Sequence, residues 1–462
     1  LMTLTSLQDK SLLRFNSARR YEFQPVLQQY AEDKFRKSQE EFDRVQSAHA
    51  EYYSSFLQAR SDPILAQEET VLAEIGTEIE NVRSAWQWAV EHKSFEHLAR
   101  SVDALFIFYQ IRGWYEEGNQ VFSSAIEMMR GNVDSGPEQE TTSGKILACQ
   151  GAFQLRLGVP AKARELLEES RDIFQRNDAN EEIGFCLNFL GLTARMQGEF
   201  DEAKGFLDQA LSVNQETGDR FEEALSLQNL GTVAFSQGEY QEAHQLFQSS
   251  LESRTRIGER QGIAYSLNNL ALVANLLGEY DESDRYFQES YSAFETIGNR
   301  WGMATCLNNR SYGRYLQGDY EEGYQQYDEA LTIFKEIGDR WATGNCLIGM
   351  GDLSVAQEDN QGAADHYTEA MSICDDIGAV PLVLYAVVSL ANLLAKEGLM
   401  ESGVELMTLA VEHPSTEQEA KDRGAQILEE LEAQMPAEAF VKAQSSGRAM
   451  SLDDAVTRIL RA

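Results

Sequence analysis

A glycine recurs every 40 residues along more than half of this chain. The position is glycine in six of seven consecutive copies and Glu358 in the other; the glycines are Gly158, Gly198, Gly238, Gly278, Gly318 and Gly398. A fixed period of about 20–50 residues is typical of proteins built by stacking one structural unit. The chain is therefore predicted to repeat a single unit, and its 462 residues do not require one large core.

Each copy is predicted to be a helical hairpin. Four copies, which start at Gly191, Gly231, Ala271 and Ser311, read GLTARMQGEFDEAKGFLDQAL, GTVAFSQGEYQEAHQLFQSSL, ALVANLLGEYDESDRYFQESY and SYGRYLQGDYEEGYQQYDEAL. Two stretches with helical spacing flank a Gly-Glu/Asp-aromatic turn. A second series of glycines lies where the second helix should end, a position at which glycine commonly forms a left-handed C-cap. These glycines are Gly218, Gly258, Gly298, Gly338 and Gly378. Each unit is thus a helix A, a turn and a helix B.

Small and large side chains follow each other in helix B. The small residues are Ala163, Ala203, Ala243, Ser283, Gly323, Ala363 and Gly403. The large residues one turn later are Leu167, Leu207, Phe247, Phe287, Tyr327, Tyr367 and Met407. Interlocking helices require such rows, because a large side chain must enter the space that a small neighbour leaves.

Period and residue types together resemble the tetratricopeptide repeat. The signature is best matched at Leu230, Gly231, Gly238, Glu239, Tyr240, Ala243 and Phe247, and the resemblance covers about residues 143–413. The usual period is about 34 residues, so longer helices or connections are expected, and the usual closing proline is absent. The resemblance implies an all-α, right-handed superhelix of αα-hairpins, assigned to residues 144–413.

The first 40 residues are predicted to form a hairpin around Asn16 and Ser17, followed by a helix. They resemble the end of the winged-helix segment in signal-transduction ATPases with numerous domains (STAND), the class of the maltose-regulon activator. The matching elements are DKSLL at 9–13, Arg20 with Tyr21, and QYA at 29–31. The chain begins Leu1-Met2, so we expect a fragment of a longer protein.

The segments around the repeats are assigned in the same way. Residues 41–130 have helical spacing and are expected to be a connector arm of divergent hairpins; the ENVR sequence at 80–83 resembles the arm of the same ATPase class. The polar, Gly- and Ser-containing stretch 131–143 is expected to be a linker. Residues 414–462 are predicted to be C-terminal capping helices, the last of them N-capped by Ser451 with Asp454.

Composition excludes several classes of partner. There are 39 basic and 75 acidic residues, a formal charge of −36, which disfavours nucleic-acid binding; the acids either form a solvated surface or attract a basic partner. Five cysteines without a CxxC pair support neither a metal site nor a disulfide framework. Cys186, Cys306 and Cys346 share one repeat position, which is typical of a small buried residue. No apolar stretch suits a membrane span, and a reduced, cytoplasmic setting is expected.

Candidate ligand-binding residues come from the resemblance, because helix A lines the concave groove of this repeat family. The groove positions correspond to Asn188, Leu192, Arg195, Gln228, Thr232, Phe235, Asn268, Leu272, Asn275, Asn308, Tyr312 and Tyr315. Amides at 188, 228, 268 and 308 form a row one repeat apart, beside a second row at 229, 269 and 309. These amides either bind an extended peptide backbone or satisfy neighbouring helices within the stack.

Arginines form a further row just before helix A, at Arg220, Arg260, Arg300 and Arg340. They either clamp a carboxylate or phosphate or pair with nearby acids such as Asp219, Glu259 and Asp339. Trp301 and Trp341 are candidates for ligand stacking or for packing between repeats.

No clustered catalytic constellation is present, so no enzymatic activity and no cofactor are expected of this segment. The STAND resemblance implies a sensor arm that binds a protein, peptide or small-molecule inducer in the groove, with the nucleotide-binding domain upstream in the parent chain. The alternative is a constitutive scaffold for protein partners. Neither nucleic acid nor membrane is an expected partner.

Overall fold

The structure is a computed structural model that describes residues 13–15, 21–23, 30, 38–61, 64, 69–129 and 136–461. Two short strands, β1 (Leu13–Phe15) and β2 (Tyr21–Phe23), pair antiparallel, with Arg14 opposite Glu22. They form the expected hairpin. The predicted helix that follows lies outside the described residues apart from Tyr30, and the winged-helix assignment stays a prediction.

The remaining described elements are helices, which confirms the all-α prediction. The connector comprises α1 (Gln39–Gln58), α2 (Glu69–Glu91), α3 (Phe95–Arg112) and α4 (Tyr115–Met129). The A helices are α5 (Pro137–Arg156), α7 (Asn180–Met196), α9 (Arg220–Ser236), α11 (Arg260–Leu276), α13 (Arg300–Gln317), α15 (Arg340–Ala356) and α17 (Val380–Lys396). The B helices are α6 (Pro160–Arg176), α8 (Phe200–Thr217), α10 (Tyr240–Ile257), α12 (Tyr280–Ile297), α14 (Tyr320–Ile337), α16 (Asn360–Asp376) and α18 (Met400–Glu412). The chain ends with α19 (Gln418–Gln434), α20 (Ala437–Ala449) and α21 (Leu452–Leu460).

The chain divides into two compact units. The smaller comprises residues 1–59 and 78–101, and the larger comprises residues 60–77 and 102–462. In the smaller unit, α1 carries Glu51, which accepts a hydrogen bond from Arg100 on α3 at 2.8 Å. The larger unit contains all the repeats and every feature of the candidate site.

Positive φ angles explain the glycine frame. The six glycines between helices A and B have φ between 74° and 90°, a left-handed conformation that side chains with a Cβ adopt only at a cost. Glu358, the break in the series, takes the same conformation at φ 65°. Asp359 caps the following helix by accepting a hydrogen bond from the Gly362 N–H at 3.0 Å. The turn geometry is therefore kept where glycine is absent.

Close packing between helices α9 and α10 explains why glycine occupies position 231. A Cβ on this residue of α9 would lie 2.6 Å from the Phe247 ring of α10, well inside van der Waals contact. Phe247 is 2% exposed. A large residue of helix B thus fills the space beside a small residue of helix A that lies 16 positions earlier in the chain. The small residues of helix B itself do not provide this space. The C-terminal glycines of the B helices, such as Gly218 at φ 78°, confirm the predicted caps.

The first repeat begins earlier than the sequence had indicated. Helix α5 starts at Pro137 and carries Glu138 and Glu140 in its first turn, inside the stretch 131–143 expected to be a linker. Proline suits the first helical position because its missing N–H is not needed there, and acids favour the positive end of the helix dipole. Residues 131–135 of that stretch lie outside the described residues.

Each A helix packs on its own B helix, and each B helix packs on the next A helix. Buried apolar clusters span neighbouring copies, and Cys186, Cys306 and Cys346 are buried, as predicted. At the C-terminal end, α20 packs on α18 and α21 on α16. Ser451 caps α21 by accepting a hydrogen bond from the Asp454 N–H at 3.1 Å, which confirms the predicted N-cap.

The superhelix closes on itself within the larger unit. A Cβ on Gly158, in the first repeat turn, would come within 3.1 Å of the Ile377 side chain, more than five copies later. Likewise, a Cβ on Gly198 would lie 2.3 Å from Cβ of Ser415. Early turns therefore rest directly on late repeats, and the concave face becomes an interior. Among the described residues, no helix combines the length and apolarity needed to cross a bilayer.

Candidate ligand-binding cavity

The interior of the closed superhelix contains a cavity of about 770 Å³. Its walls are mainly the inner faces of the A helices from α5 to α17, together with α3 and two glutamates, Glu417 and Glu419, at the start of α19. A volume of this size falls within the range of small-molecule and peptide pockets.

The structure places seven of the thirteen predicted site residues on the cavity wall. These are Arg195, Gln228, Thr232, Phe235, Asn268, Asn308 and Tyr312, joined by Leu192, Leu272 and the second amide row at Asn229, Asn269 and Asn309. Asn188, Asn275, Tyr315, Arg260, Arg300 and Arg340 lie elsewhere. The cavity thus brings together the central A-helix residues and leaves out the arginine row.

The two amide interpretations apply to different copies. Asn188 is fully buried, donates to the Glu222 carboxylate at 2.7 Å and accepts from the Ser226 hydroxyl at 2.9 Å, so it stabilises the stack. Whether the amide has a partner in the stack depends on the residue 34 positions after it, on the next A helix. It is Glu222 after Asn188, but Gly302 after Asn268. Asn268 is 2% exposed, and its Oδ1 has no hydrogen-bond partner within the described part of the chain.

Two other predicted residues belong to packing between helices. Asn275 is 2% exposed and lies against Gly313, where a Cβ would come within 2.4 Å of its Nδ2. The ring of Tyr315 stacks beside Tyr312 at a centroid distance of 6.4 Å and also contacts Tyr320. Only Tyr312 of these rings reaches the cavity.

The arginine row lies outside the cavity, and three of its four members pair with acids. Arg340 binds Asp376 at 2.9 Å, Arg300 binds Glu336, and Arg220 binds Glu223 at 2.7 Å. Arg260 is exposed. For these three pairs the structure favours ion pairing over an anion clamp, although the acids differ from those expected.

The acids directly before the arginines do not pair with them. These acids occupy the N-cap positions of the A helices. Asp219 accepts from the N–H groups of Phe221 and Glu222, both at 3.0 Å. Glu259 instead forms a buried ion pair with Arg254 at 2.8 Å. An N-cap carboxylate satisfies backbone donors that the first helical turn leaves free.

The tryptophans close the superhelix. The Arg156 guanidinium lies over the Trp301 ring at 4.8 Å, and that of Arg195 lies over Trp341 at 5.4 Å. The Trp301 indole N–H donates to Asp339 at 2.6 Å. Each stack joins helices about 145 positions apart in sequence, so the rings take part in the contact between distant copies. Both tryptophans also line the cavity, so they remain candidates for ligand stacking.

Residues 415–423, here called the closing segment, were missed by sequence reasoning. Tyr312 donates to Glu419 at 2.6 Å, and Ser236 donates to Glu417 at 2.9 Å. Arg423 binds Asp352 through both terminal nitrogens, at 3.0 and 2.9 Å. The segment therefore crosses the groove as part of its wall. Its partners are 71 to 181 residues away, and no local pattern indicates contacts at that range.

Burial changes the acid–base behaviour of the wall. Burial raises the pKa of Glu222 to about 8, even though the Asn188 hydrogen bond opposes the shift. Burial likewise raises the pKa of Glu417 and of Glu419. Transfer of a carboxylate out of water disfavours its charged form, and only a nearby cation or donor restores it.

Residues 143–376 match the tetratricopeptide repeat family model in four segments, 143–216, 187–256, 220–296 and 302–376. The chain therefore carries tetratricopeptide repeats, as predicted. No curated protein sequence matches the chain.

Solved structures share the fold at low identity. A Rap protein complexed with Competence and Sporulation Factor is 14% identical with a TM-score of 0.50, over 72% of this chain and 99% of that one. A STAND protein with a tetratricopeptide repeat sensor from Pyrococcus horikoshii is also 14% identical with a TM-score of 0.50. That match covers 96% of this chain and 60% of the other, so this chain corresponds to part of that protein's length.

Proposed function

We propose that this chain is the ligand-recognising sensor arm of a multidomain signalling ATPase, and that it binds a peptide or small inducer inside the closed superhelix. The observation that carries the proposal is the cavity itself, an interior of about 770 Å³ with buried amides such as Asn268 that lack partners in the described structure. A buried polar atom without a partner is costly. A ligand that supplies the missing hydrogen bonds would remove that cost.

The closure favours a sensor over a passive scaffold. The cavity wall includes A helices of several copies and also Glu417 and Glu419 of the closing segment. A ligand in this interior would touch elements that are far apart in sequence and meet only when the superhelix is closed. Binding would therefore favour one closure state over another, which is how a ligand shifts a conformational equilibrium.

The structural likenesses support the same proposal. One neighbour is a STAND protein with a tetratricopeptide repeat sensor, and another is a Rap protein complexed with Competence and Sporulation Factor. By analogy, the nucleotide-binding domain of the maltose-regulon-activator-like parent would lie upstream, and ligand binding would release its inactive state. Fold-level analogy supports this step and no residue contact does.

Native mass spectrometry of the chain, purified and then incubated with extract of its own cells, tests the proposal. We expect a bound mass that is lost on denaturation. Leu272→Trp, which fills the cavity wall, should abolish the bound species. Leu277→Trp, at a residue 43% exposed outside the cavity, should retain it. An empty wild-type protein, or equal retention by both variants, would contradict ligand binding in this interior; partner capture that survives Leu272→Trp would favour the scaffold.

A further inference from the structure

The cavity wall is strongly acidic. Nine carboxylates line it, Asp103, Glu181, Glu182, Asp219, Glu222, Glu259, Asp352, Glu417 and Glu419, against four cations, Lys145, Arg156, Arg195 and Arg254. A concave, poorly solvated wall of one sign focuses the field and concentrates ligands of the opposite charge. The excess alone does not identify a site, because most of these groups have partners.

The four cations are already engaged. Lys145 binds Glu182 at 2.8 Å and lies 3.5 Å from Asp103. Arg254 places one nitrogen 2.9 and 2.8 Å from the two oxygens of Glu259. The other two, Arg156 and Arg195, lie over the tryptophan rings described above, and Arg195 also attracts Glu417. Lys145 and Arg254 are therefore paired with carboxylates, whereas Arg156 and Arg195 lie against aromatic rings.

Most of the buried carboxylates are satisfied in turn. Asp352 has Arg423, and Asp219 accepts two backbone N–H groups. Glu419 accepts from the Tyr312 hydroxyl, and Arg423 attracts it. Glu222 differs, because its carboxylate, in a residue 8% exposed, is bound by the neutral amide of Asn188. Among the described residues, no basic side chain forms an ion pair with Glu222.

A network holds the Glu222 carboxylate in place. Asn188 donates to it, Ser226 donates to Asn188 Oδ1 at 2.9 Å, and Asn214 donates to Ser226 at 3.0 Å. Because Asn188 and Asn214 are fully buried, the carboxylate is fixed before any ligand arrives. Such positioning lowers the entropy that a ligand must lose on binding.

An independent observation indicates a ligand in the cavity that this carboxylate lines. Six residues of the wall have a side-chain atom with no hydrogen-bond partner in the described structure, and three of these six are nearly fully buried asparagines: Asn229 through Nδ2, Asn268 through Oδ1 and Asn308 through Oδ1. They are 3%, 2% and 7% exposed. Asn229 is on the same helix as Glu222, seven residues on, about 10 Å along the helix axis. Native interiors leave few such atoms unsatisfied.

We propose that the ligand of this cavity presents a guanidinium or ammonium group to Glu222, while polar atoms of the same ligand bind the amides of Asn229, Asn268 and Asn308. This inference rests on the proposed function and adds the chemical class of the ligand. A basic side chain of a peptide and a polyamine are two sources of that chemistry. The cation also reverses the effect of burial, because a positive neighbour favours the charged carboxylate.

Three probes test this ligand class by isothermal titration calorimetry on the whole chain. The first is a pool of pentapeptides that each carry one Lys or Arg, the second is the same pool with Gln at that position, and the third is spermidine. We expect the basic pool, spermidine or both to bind wild type, and the Gln pool to bind at least tenfold more weakly. Hydrogen bonds to charged groups contribute about 1.5–3 kcal/mol, or about 10- to 100-fold in affinity.

Two variants on the same helix supply the control. Glu222→Gln keeps an acceptor for Asn188 but carries no charge, and should weaken the cationic probes about 10- to 100-fold. Glu223→Gln, outside the cavity and paired with Arg220, should bind as wild type. Equal binding of the two pools, unchanged affinity of Glu222→Gln, or no binding by any probe would overturn the cationic class. The mass-spectrometric test is independent of ligand charge and decides the proposed function separately.

Discussion

Replacement of Glu222 by Gln should stabilise the protein at neutral pH, without any ligand. The carboxylate is 8% exposed, and its pKa is raised from 4.5 to about 8, mainly by burial. Between these two values the folded protein keeps a proton that the unfolded chain has lost. Stability therefore falls as pH rises through this window.

The magnitude follows from the shift. Each pH unit in the window lowers the unfolding free energy of wild type by about 1.4 kcal/mol. At pH 7 the unfolding free energy of wild type is therefore about 3 kcal/mol lower than at pH 4.5, a decrease that Glu222→Gln does not show. Asp219, Glu259 and Arg254 also face the group, but their own titrations are common to both proteins and largely cancel in the difference. Gln can accept the Asn188 hydrogen bond, so the network is kept.

Urea denaturation followed by circular dichroism at pH 5, 6, 7 and 8 provides the assay. The free-energy difference between Glu222→Gln and wild type should grow by about 1.4 kcal/mol per pH unit within this window. Glu223→Gln, whose carboxylate pairs with an arginine 67% exposed, should follow wild type. Parallel curves for Glu222→Gln and wild type would refute the reasoning, because they would show that the folded carboxylate ionises near its ordinary pKa.

Two further changes test the closing segment and the repeat frame. Arg423→Ala should cost about 3–5 kcal/mol in unfolding free energy, because it leaves Asp352, 7% exposed, without its cation. Arg448→Ala, at an exposed pair, should cost far less, and equal losses in urea denaturation would contradict a buried ion pair between Arg423 and Asp352. Glu358→Gly should raise the thermal midpoint and stabilise by about 1 kcal/mol, because Glu358 has φ 65°; an unchanged or lower midpoint would show that its strain is offset.

The division of roles within the amide row shows the limit of copy-by-copy reasoning. Asn188 and Asn268 occupy the same repeat position, yet one bonds within the stack and the other faces the cavity without a partner in the described structure. The deciding residue, Glu222 or Gly302, lies 34 positions further on. Both residues can be read from the sequence, but their effect on the amide can be recognised only when the contact between neighbouring A helices is known.

The closing segment was beyond sequence reasoning for a different reason. Glu417, Glu419 and Arg423 belong to a Glu-rich stretch that has the pattern of a solvated helix. Their partners Ser236, Tyr312 and Asp352 are drawn from three separate copies. Local spacing carries no information on contacts across the turn of a superhelix.

What the sequence determined by itself is the repeat. The periodic glycines, the helical spacing of apolar residues and the alternation of small and large residues are local properties of the sequence. They determine the helical hairpins and the packing between neighbouring copies wherever they recur. The tertiary structure decided the rest: the superhelix closes, the arginine row turns outward, and Glu222 is buried in the same cavity wall as amides that lack partners in the described structure. Small rotations between copies add up over the whole array, so closure and cavity charge depend on residues far apart in the chain.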